Sequence, residues 1–265
     1  NYSVSRISGL VGYMLAGGVI ALIGAVGALW IDAATFLISS AIIWSIRYKE
    51  NLQGAKQTVK GVIQDFAEGF RFIRASRTIQ TVSLIGLLIN FGIMPLTVFQ
   101  TPYVSDYLKM GPETLSYIKI LTSVGMITGS ALLPKLGKIK TPVIAVAAGV
   151  IMGAALIEMS IAQSLSSPVL KMGILTLSML SIGFGGGLLN VIIGSSVMKA
   201  VPKEMMGRIS GFLTAMMQAS MPVASFICSA LAVYFHIPHI LVFFGSMTLI
   251  CSLALYFRKK LDALS

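Results

Sequence analysis

Charged side chains are scarce in this sequence, and acidic ones are the scarcest. Only 11% of the 265 residues are charged, with nine acidic residues against twenty basic ones, whereas 56% are apolar. A water-soluble domain of this size needs more polar groups than this to cover its surface. The composition therefore excludes an ordinary soluble protein and indicates that lipid covers much of the chain.

Residues that usually carry catalysis or bind metals are also few. The chain has two cysteines, Cys228 and Cys251, and two histidines, His236 and His239. The cysteines fall within apolar stretches, without a histidine or acidic partner at metal-ligand spacing, and are interpreted as buried apolar side chains. The histidines share a short loop, and no nucleophile with a base in reach is recognisable. We therefore expect no enzyme activity, no metal site and no cofactor.

Long apolar stretches make up most of the sequence. Each is close to the ~20 helical residues that cross a ~30 Å hydrocarbon core. Only helices and closed barrels satisfy their backbone groups in lipid, and runs this continuous indicate helices. The predicted fold class is an all-α membrane protein, a polytopic bundle with eight transmembrane helices. The predicted spans are Ile7–Ala25, Ala28–Ile46, Ile79–Val98, Tyr117–Leu136, Val143–Ala162, Val169–Val191, Ile209–Val233 and Ile240–Phe257.

The distribution of basic residues predicts how the helices are oriented. The net charge is +11, and seventeen of the twenty basic residues lie before the first span, in alternate gaps or after the last span. Lys109 and Lys171 lie in the other gaps, and Lys119 lies within a span. The side rich in basic residues is cytoplasmic in most membrane proteins. We therefore predict that both ends of the chain are cytoplasmic, and the same distribution argues against a nucleic-acid partner.

The one long polar connection, from Arg47 to Arg77, contains a helical pattern. Apolar residues recur at spacings of three and four, with charged residues mostly on the other face. The apolar set is Val59, Val62, Ile63, Phe66, Phe70 and Ile73, and the charged set is Lys60, Asp65, Glu68, Arg71 and Arg74. This pattern predicts an amphipathic helix along the cytoplasmic surface of the bilayer or of the helix bundle.

A short internal repeat relates the first pair of spans to the last pair. Arg6–Gly9 and Arg208–Gly211 share the sequence Arg-Ile-Ser-Gly, and each copy opens a pair of spans that ends in a basic cluster. Repeats with the same order and sidedness are related by an axis along the membrane normal, as in transporters built from two six-helix halves. The chain is then expected to divide into residues 1–47, the last two helices of an N-terminal half, 48–77, a cytoplasmic linker, and 78–265, a six-helix C-terminal half. Four helices would precede it.

Four segments carry a resemblance to a known family. Residues 12–18 resemble an antiporter motif of the form Gly-Pro-x-x-x-Gly-Gly, with Tyr13 in place of the proline. The other segments are 32–39, 65–72, and Asn190 together with 201–208. Together with the layout of the spans, they are similar to the drug-efflux branch of the major facilitator superfamily, which includes macrolide exporters and the enterobactin exporter. The resemblance assigns motif roles to Gly12, Gly17, Gly18, Gly207 and Arg208. The loop 130–140 corresponds to the family's gating loop, of which Lys135, Gly137 and Lys140 are retained.

The resemblance implies a function as well as a fold. It implies a bacterial cytoplasmic-membrane exporter, monomeric when full-length, that moves a hydrophobic or amphiphilic small molecule outward by alternating access. The energy source it implies is the proton gradient. A lysophospholipid or siderophore exporter of the same fold remains an alternative, as does a truncated membrane scaffold that transports nothing.

Polar and adaptable side chains near mid-membrane suggest where a substrate binds. Asn90, Asn190 and Gln218 fall near the depth at which alternating-access transporters hold substrate, although each also fits a hydrogen bond between helices. Aromatic and thioether side chains nearby would suit a bulky, partly apolar ligand. The candidate binding residues are Asn90, Phe91, Met94, Phe184, Asn190, Met217 and Gln218.

Three charged residues inside the spans are candidates for coupling, because such residues are costly in lipid. Asp32 lies in the second span, and hydrogen bonding within the absent part of its own half is the favoured interpretation over proton carriage. Lys119 and Glu158 lie ~10 Å and ~6 Å below the outer boundary at 1.5 Å per residue. The two depths permit an ion pair, and they equally permit two side chains that reach the headgroups independently.

Overall fold

The computed structural model describes residues 27, 30–45, 59–136 and 139–257, and most of these residues are helical with no strand among them. The predicted all-α fold is confirmed. The helices are α1 (Trp30–Ser45), α2 (Val59–Ala75), α3 (Arg77–Pro102), α4 (Glu113–Leu132), α5 (Thr141–Ala162), α6 (Pro168–Ala200), α7 (Met206–Ala232) and α8 (Ile237–Phe257). A π-helix at Tyr103–Leu108 extends α3, and short 3-10 turns occupy Leu133–Leu136 and Lys203–Met205.

Six of these helices, α3 to α8, are long and apolar enough to cross a membrane. They correspond to the last six of the eight predicted spans. The first predicted span, Ile7–Ala25, lies outside the described residues. The second is represented by α1, a shorter apolar helix whose described side chains are all exposed. The chain divides into two compact units, Asn1–Gln64 and Asp65–Ser265, and all six spans belong to the second.

The six spans pack in a definite pattern of neighbours. Helix α6 packs against α4 and α5, α5 also packs against α8, and α3 packs mainly against α7 and then α8. The buried core lies where these helices meet and includes Met179, Leu189, Ile209 and Phe244, each at most 1% exposed. In lipid there is little hydrophobic driving force between helices, so close van der Waals packing must hold such a bundle together.

Glycines provide that close packing between α4 and α6. A Cβ atom added to Gly125 or Gly129 of α4 would collide with the α6 backbone at Leu180 and Phe184. A Cβ atom on Gly183 or Gly187 of α6 would collide with the α4 backbone at Thr122 and Met126. The glycines thus recur at intervals of four on both helices and let the two backbones touch. The run from Gly183 to Gly187 is therefore a packing surface between helices.

Helix α2 lies where the sequence predicts an amphipathic helix. Gly69 packs against Phe212 of α7 and Ile73 is 8% exposed, whereas Phe70 is 53% exposed. The apolar set of the pattern is therefore divided: Ile73 faces the bundle and Phe70 does not. The contact with α7 is made through the small residue Gly69.

Candidate functional site

A cleft of about 380 Å³ separates the C-terminal part of α6 from the N-terminal half of α7. It exists because the two helices are anchored to different partners. The glycine contacts hold α6 against α4, whereas α7 packs on α3. The lining residues are Ile193, Gly194, Val197, Met198, Met206, Ser210, Leu213, Thr214 and Met217.

The walls of the cleft are mostly apolar and adaptable. Three thioether side chains, Met198, Met206 and Met217, contribute to them, and the hydroxyls of Ser210 and Thr214 supply sparse polar groups. No lining residue is charged. A Cβ atom added at Gly194 would meet nothing within 4 Å, so the space beside α6 is open there. Methionine can change rotamer to follow the shape of different ligands, which makes such a surface suited to bulky, weakly polar molecules.

One of the candidate binding residues, Asn90, joins α3 to α7 by a hydrogen bond. Asn90 of α3 donates from its Nδ2 atom to the carbonyl oxygen of Met217 at 3.1 Å. Gly86 of α3 is in close contact with the thioether end of the same Met217 side chain. Met217 therefore lies both in the cleft and at the α3–α7 contact. Of the two roles considered for Asn90, the structure supports the hydrogen bond between helices.

The other predicted binding residues are spread over the bundle. Phe91 stacks on Phe244 of α8 with ring centroids 5.4 Å apart, and Met94 is partly buried against the core. The backbone of Phe184 lies at the α4–α6 contact. Asn190 is exposed and donates to the carbonyl oxygen of Gly186 in its own helix at 2.9 Å, and Gln218 is exposed. Of the seven candidates, Met217 alone lines the described cleft.

Lys119 and Glu158 have different surroundings, and Asp32 belongs to the other of the two compact units. The hydroxyl of Ser178 on α6 donates to the half-buried Glu158 carboxylate of α5 at 3.3 Å. Lys119 of α4 is exposed, and within the described part of the chain it forms no ion pair with Glu158. Glu158 is thus held between α5 and α6, whereas Lys119 is exposed. Asp32 lies on exposed α1, where its carbonyl oxygen accepts from the Thr35 hydroxyl.

Comparison with known protein families decides the identity of the fold. The sequence profile of the Major Facilitator Superfamily matches residues 1–225. This chain belongs to the Major Facilitator Superfamily. It is therefore a multi-pass membrane transporter, and the six-helix bundle is part of a major facilitator fold. No curated protein and no solved structure matches the chain.

Two of the segments that resemble family motifs meet in this transporter. Arg208, which ends the segment 201–208, donates from its Nη1 atom to Oε2 of Glu68, in the segment 65–72, at 2.6 Å. The sequence did not predict this ion pair, because 140 residues separate the partners. Lys135 and Lys140 are exposed at the α4–α5 connection, and Gly207 is exposed at the start of α7. Gly12, Gly17, Gly18 and Gly137 lie outside the described residues.

Sequence reasoning missed most of the cleft. Met198, Met206, Ser210 and Thr214 carry no sequence signal that separates them from ordinary membrane-helix residues. One sequence signal is the frequency of glycine, serine and methionine on both sides of the 201–208 segment. Small side chains fill less of the space beside a helix and so can leave a cleft there. Among the described residues, no three acidic, histidine or cysteine side chains are grouped so as to hold a metal ion.

Proposed function

We propose that this transporter exports a hydrophobic or amphiphilic small molecule by alternating access, with the α6–α7 cleft forming part of the binding site. The observation that carries the proposal is the cleft's lining of thioether and aliphatic side chains with two hydroxyls and no charge. A site of this kind binds by shape and apolar contact rather than by fixed polar recognition, which suits a family of related compounds better than one ion or sugar.

The packing of the bundle supports a movement that would open and close this site. Helices α4 and α6 are locked by backbone contacts at four glycines, whereas α7 is attached to α3 and through Arg208 to α2. We propose that α3 and α7 move as a pair relative to α4 and α6, which would change the width of the cleft. Within the fixed pair, Asn90 keeps its hydrogen bond to Met217, and the exposed Gln218, at the next position of α7, is proposed to contact the substrate.

We further propose that export is driven by protons and that Glu158 carries them. Of the three charged candidates, Glu158 is the one held between two packed helices, with the fully buried Ser178 hydroxyl as donor. Lys119 and Asp32 are exposed, so neither side chain is enclosed by packed helices as Glu158 is. We also propose that the transporter lies in a bacterial cytoplasmic membrane and works as a monomer. Its domains would divide after residues 47 and 77.

The test of the binding site is to fill the cleft with one aromatic ring. Thr214→Phe should weaken export of the transported compound by about 5–100-fold, because the ring would occupy space that the substrate needs, and a loss of about 1–3 kcal/mol of binding free energy corresponds to this range. The measurement is accumulation in cells that express the complete gene product, across a panel of macrolides, siderophores and lysophospholipids.

The matched control is Val223→Phe, which adds a similar ring to an exposed position of the same helix outside the cleft. It should leave export unchanged. If Thr214→Phe exported every compound at the parental rate, this cleft would not be the binding site. If the parent exported none of the compounds, the proposed substrate class would be wrong.

The orientation of the helices in the membrane can be tested by cysteine labelling. In a background with Cys228 and Cys251 replaced by alanine, Glu113→Cys should react with an impermeant thiol reagent on intact cells, whereas Lys140→Cys should be shielded. Both positions are exposed and lie at opposite ends of α4 and its connection to α5. Permeabilised cells provide the control, since both positions should then react. The reverse labelling pattern would place the basic connections outside the cell.

A further inference from the structure

The bend between α2 and α3 carries an exposed group of three arginines and one aromatic residue. Arg71 and Arg74 lie about one turn apart on α2, Arg77 is the first residue of α3, and all three are exposed. Phe70 is 53% exposed among them, and the guanidinium carbon of Arg74 lies 5.7 Å from the centre of its ring. We call Phe70, Arg71, Arg74 and Arg77 the elbow patch.

Hydrogen bonds across the bend keep the elbow patch in one arrangement. Ser76 has extended backbone angles (φ −103°, ψ 112°), and its hydroxyl accepts from the backbone N–H of Ile79 as the N-cap of α3. The side chain of Gln80 in α3 donates from Nε2 to the carbonyl oxygen of Arg74 at 2.7 Å. On the far side of α2, Gly69 contacts Phe212 and Ile73 is buried. The arginines are thus held facing away from the bundle.

The positive charge of the elbow patch is not compensated by neighbouring carboxylates. Glu68 is one turn before Arg71, at a spacing that would allow a pair on the helix surface. Its carboxylate is instead paired with Arg208 of α7 at 2.6 Å. Across the parts of the chain that the structure describes, none of the three arginines of the patch forms an ion pair. The patch therefore presents three positive charges to whatever lies beyond it.

The sequence of α3 places the elbow patch at the level of lipid headgroups. The membrane-spanning segment begins at Arg77, and no charged residue follows until Asp106. The hydrocarbon region must therefore begin within a turn or two of the bend. A guanidinium presents a planar fork of donors that matches the oxygens of a phosphate, and an exposed aromatic ring is favoured at the same interface.

We propose that the elbow patch binds the headgroups of anionic phospholipids in the leaflet on which α2 lies. Zwitterionic headgroups also contain a phosphate, but their adjacent cation opposes three arginines, so the patch should select lipids with a net negative charge. The elbow patch is independent of the substrate cleft. The side of α7 that faces α2 lies between the two. Its occupation would fix α2 against the membrane surface next to the Glu68–Arg208 ion pair.

A fluorescent reporter at position 70 tests the proposal at the site itself. The two native tryptophans are removed as Trp30→Phe and Trp44→Phe, and Phe70→Trp introduces a single indole within the patch. The full chain is reconstituted in vesicles of equimolar phosphatidylcholine and phosphatidylglycerol, with bromine on the acyl chains of either one lipid or the other. Brominated phosphatidylglycerol should quench the indole more strongly than brominated phosphatidylcholine. Equal quenching by the two lipids would overturn the proposal.

Two double variants separate this patch from general attraction between a basic protein and an anionic membrane. Arg71→Gln with Arg74→Gln should remove the preference, since each cationic residue near an anionic surface is worth about a fivefold change in binding. Lys199→Gln with Lys203→Gln removes the same charge from exposed positions at the α6–α7 connection and should leave the preference intact. Equal loss in both variants would refute a local site.

A third variant distinguishes lost charge from lost folding. Arg71→Lys with Arg74→Lys should keep most of the preference for phosphatidylglycerol, because the charge remains. Addition of soluble glycerophosphate should not displace the lipid, since the proposed ligand is a headgroup held in the bilayer. Complete loss of the preference in the lysine variant, or displacement by glycerophosphate, would contradict anionic lipid binding at the patch. Circular dichroism of each variant should show unchanged helix content.

Discussion

Gly183→Ala is expected to destabilise the bundle by about 1–3 kcal/mol, although alanine is the better helix former. The added methyl group would collide with the carbonyl oxygen of Thr122 on α4, with the Thr122 carbonyl carbon at 2.9 Å and the Met126 nitrogen at 3.0 Å. These are backbone atoms, which cannot move aside as a flexible side chain can. Helix α4 must therefore shift away from α6, and the contact that carries most of the α4 packing weakens. Thermal unfolding of the purified protein in detergent measures the loss.

Gly173→Ala is the matched control for that experiment. Gly173 lies in the same helix, and a Cβ atom there would meet nothing within 4 Å. The same change should be neutral, or stabilising by up to about 1 kcal/mol through helix propensity. If the two variants unfolded at the same temperature, the close α4–α6 approach would not contribute to stability, and the glycine run would need another explanation.

From the proposed coupling role of Glu158, we expect Glu158→Gln to reduce pH-driven export to the background of cells without the transporter, while binding of the exported compound persists. Glutamine keeps the size of the side chain and can still accept from the Ser178 hydroxyl, but it cannot bind and release a proton. A negative charge at this half-buried position between α5 and α6 costs free energy, and protonation of the carboxylate would remove that cost. Export driven by an imposed pH gradient in proteoliposomes, measured beside ligand binding at equilibrium, separates coupling from recognition.

Glu113→Gln controls for the loss of a negative charge on the same side of the bundle. Glu113 is exposed in the first turn of α4, and its replacement should leave pH-driven export unchanged. Exchange of substrate across the membrane without a pH gradient should survive in Glu158→Gln, because that process needs no net proton movement. Full pH-driven export by Glu158→Gln would assign coupling to another residue, whereas loss of binding as well would indicate a structural role.

The helices could be predicted from the sequence because the cost of placing polar groups in lipid is a local property of the chain. Predicted and observed limits of α5 differ by two residues at the start and agree at Ala162. Helix α6 extends nine residues beyond the predicted end at Val191. Its last turns contain Gly194, Ser195 and Lys199, which lower the hydropathy without stopping the helix. Hydropathy therefore locates the membrane core better than it locates the end of a helix.

The candidate site was predicted less well, and Lys119 and Glu158 show why. Depth along the membrane normal follows from residue counting at 1.5 Å per residue, so the heights of the two side chains can be compared from the sequence. Their direction around the helix axes does not follow, because lipid-facing and bundle-facing positions are both apolar and leave no periodic signal. The structure has Glu158 beside Ser178 of α6 and leaves Lys119 exposed.

Sequence alone predicts an all-helical membrane protein, the segments that form α3 to α8, and the amphipathic pattern of α2 before them. Each of these properties depends on the composition of one continuous segment in contact with lipid or water. The packed bundle was needed to show that α6 is locked to α4, that α7 is attached to α3, and that a cleft lies between α6 and α7. Those choices depend on which glycines of different helices face each other, and that is fixed only when the whole bundle packs.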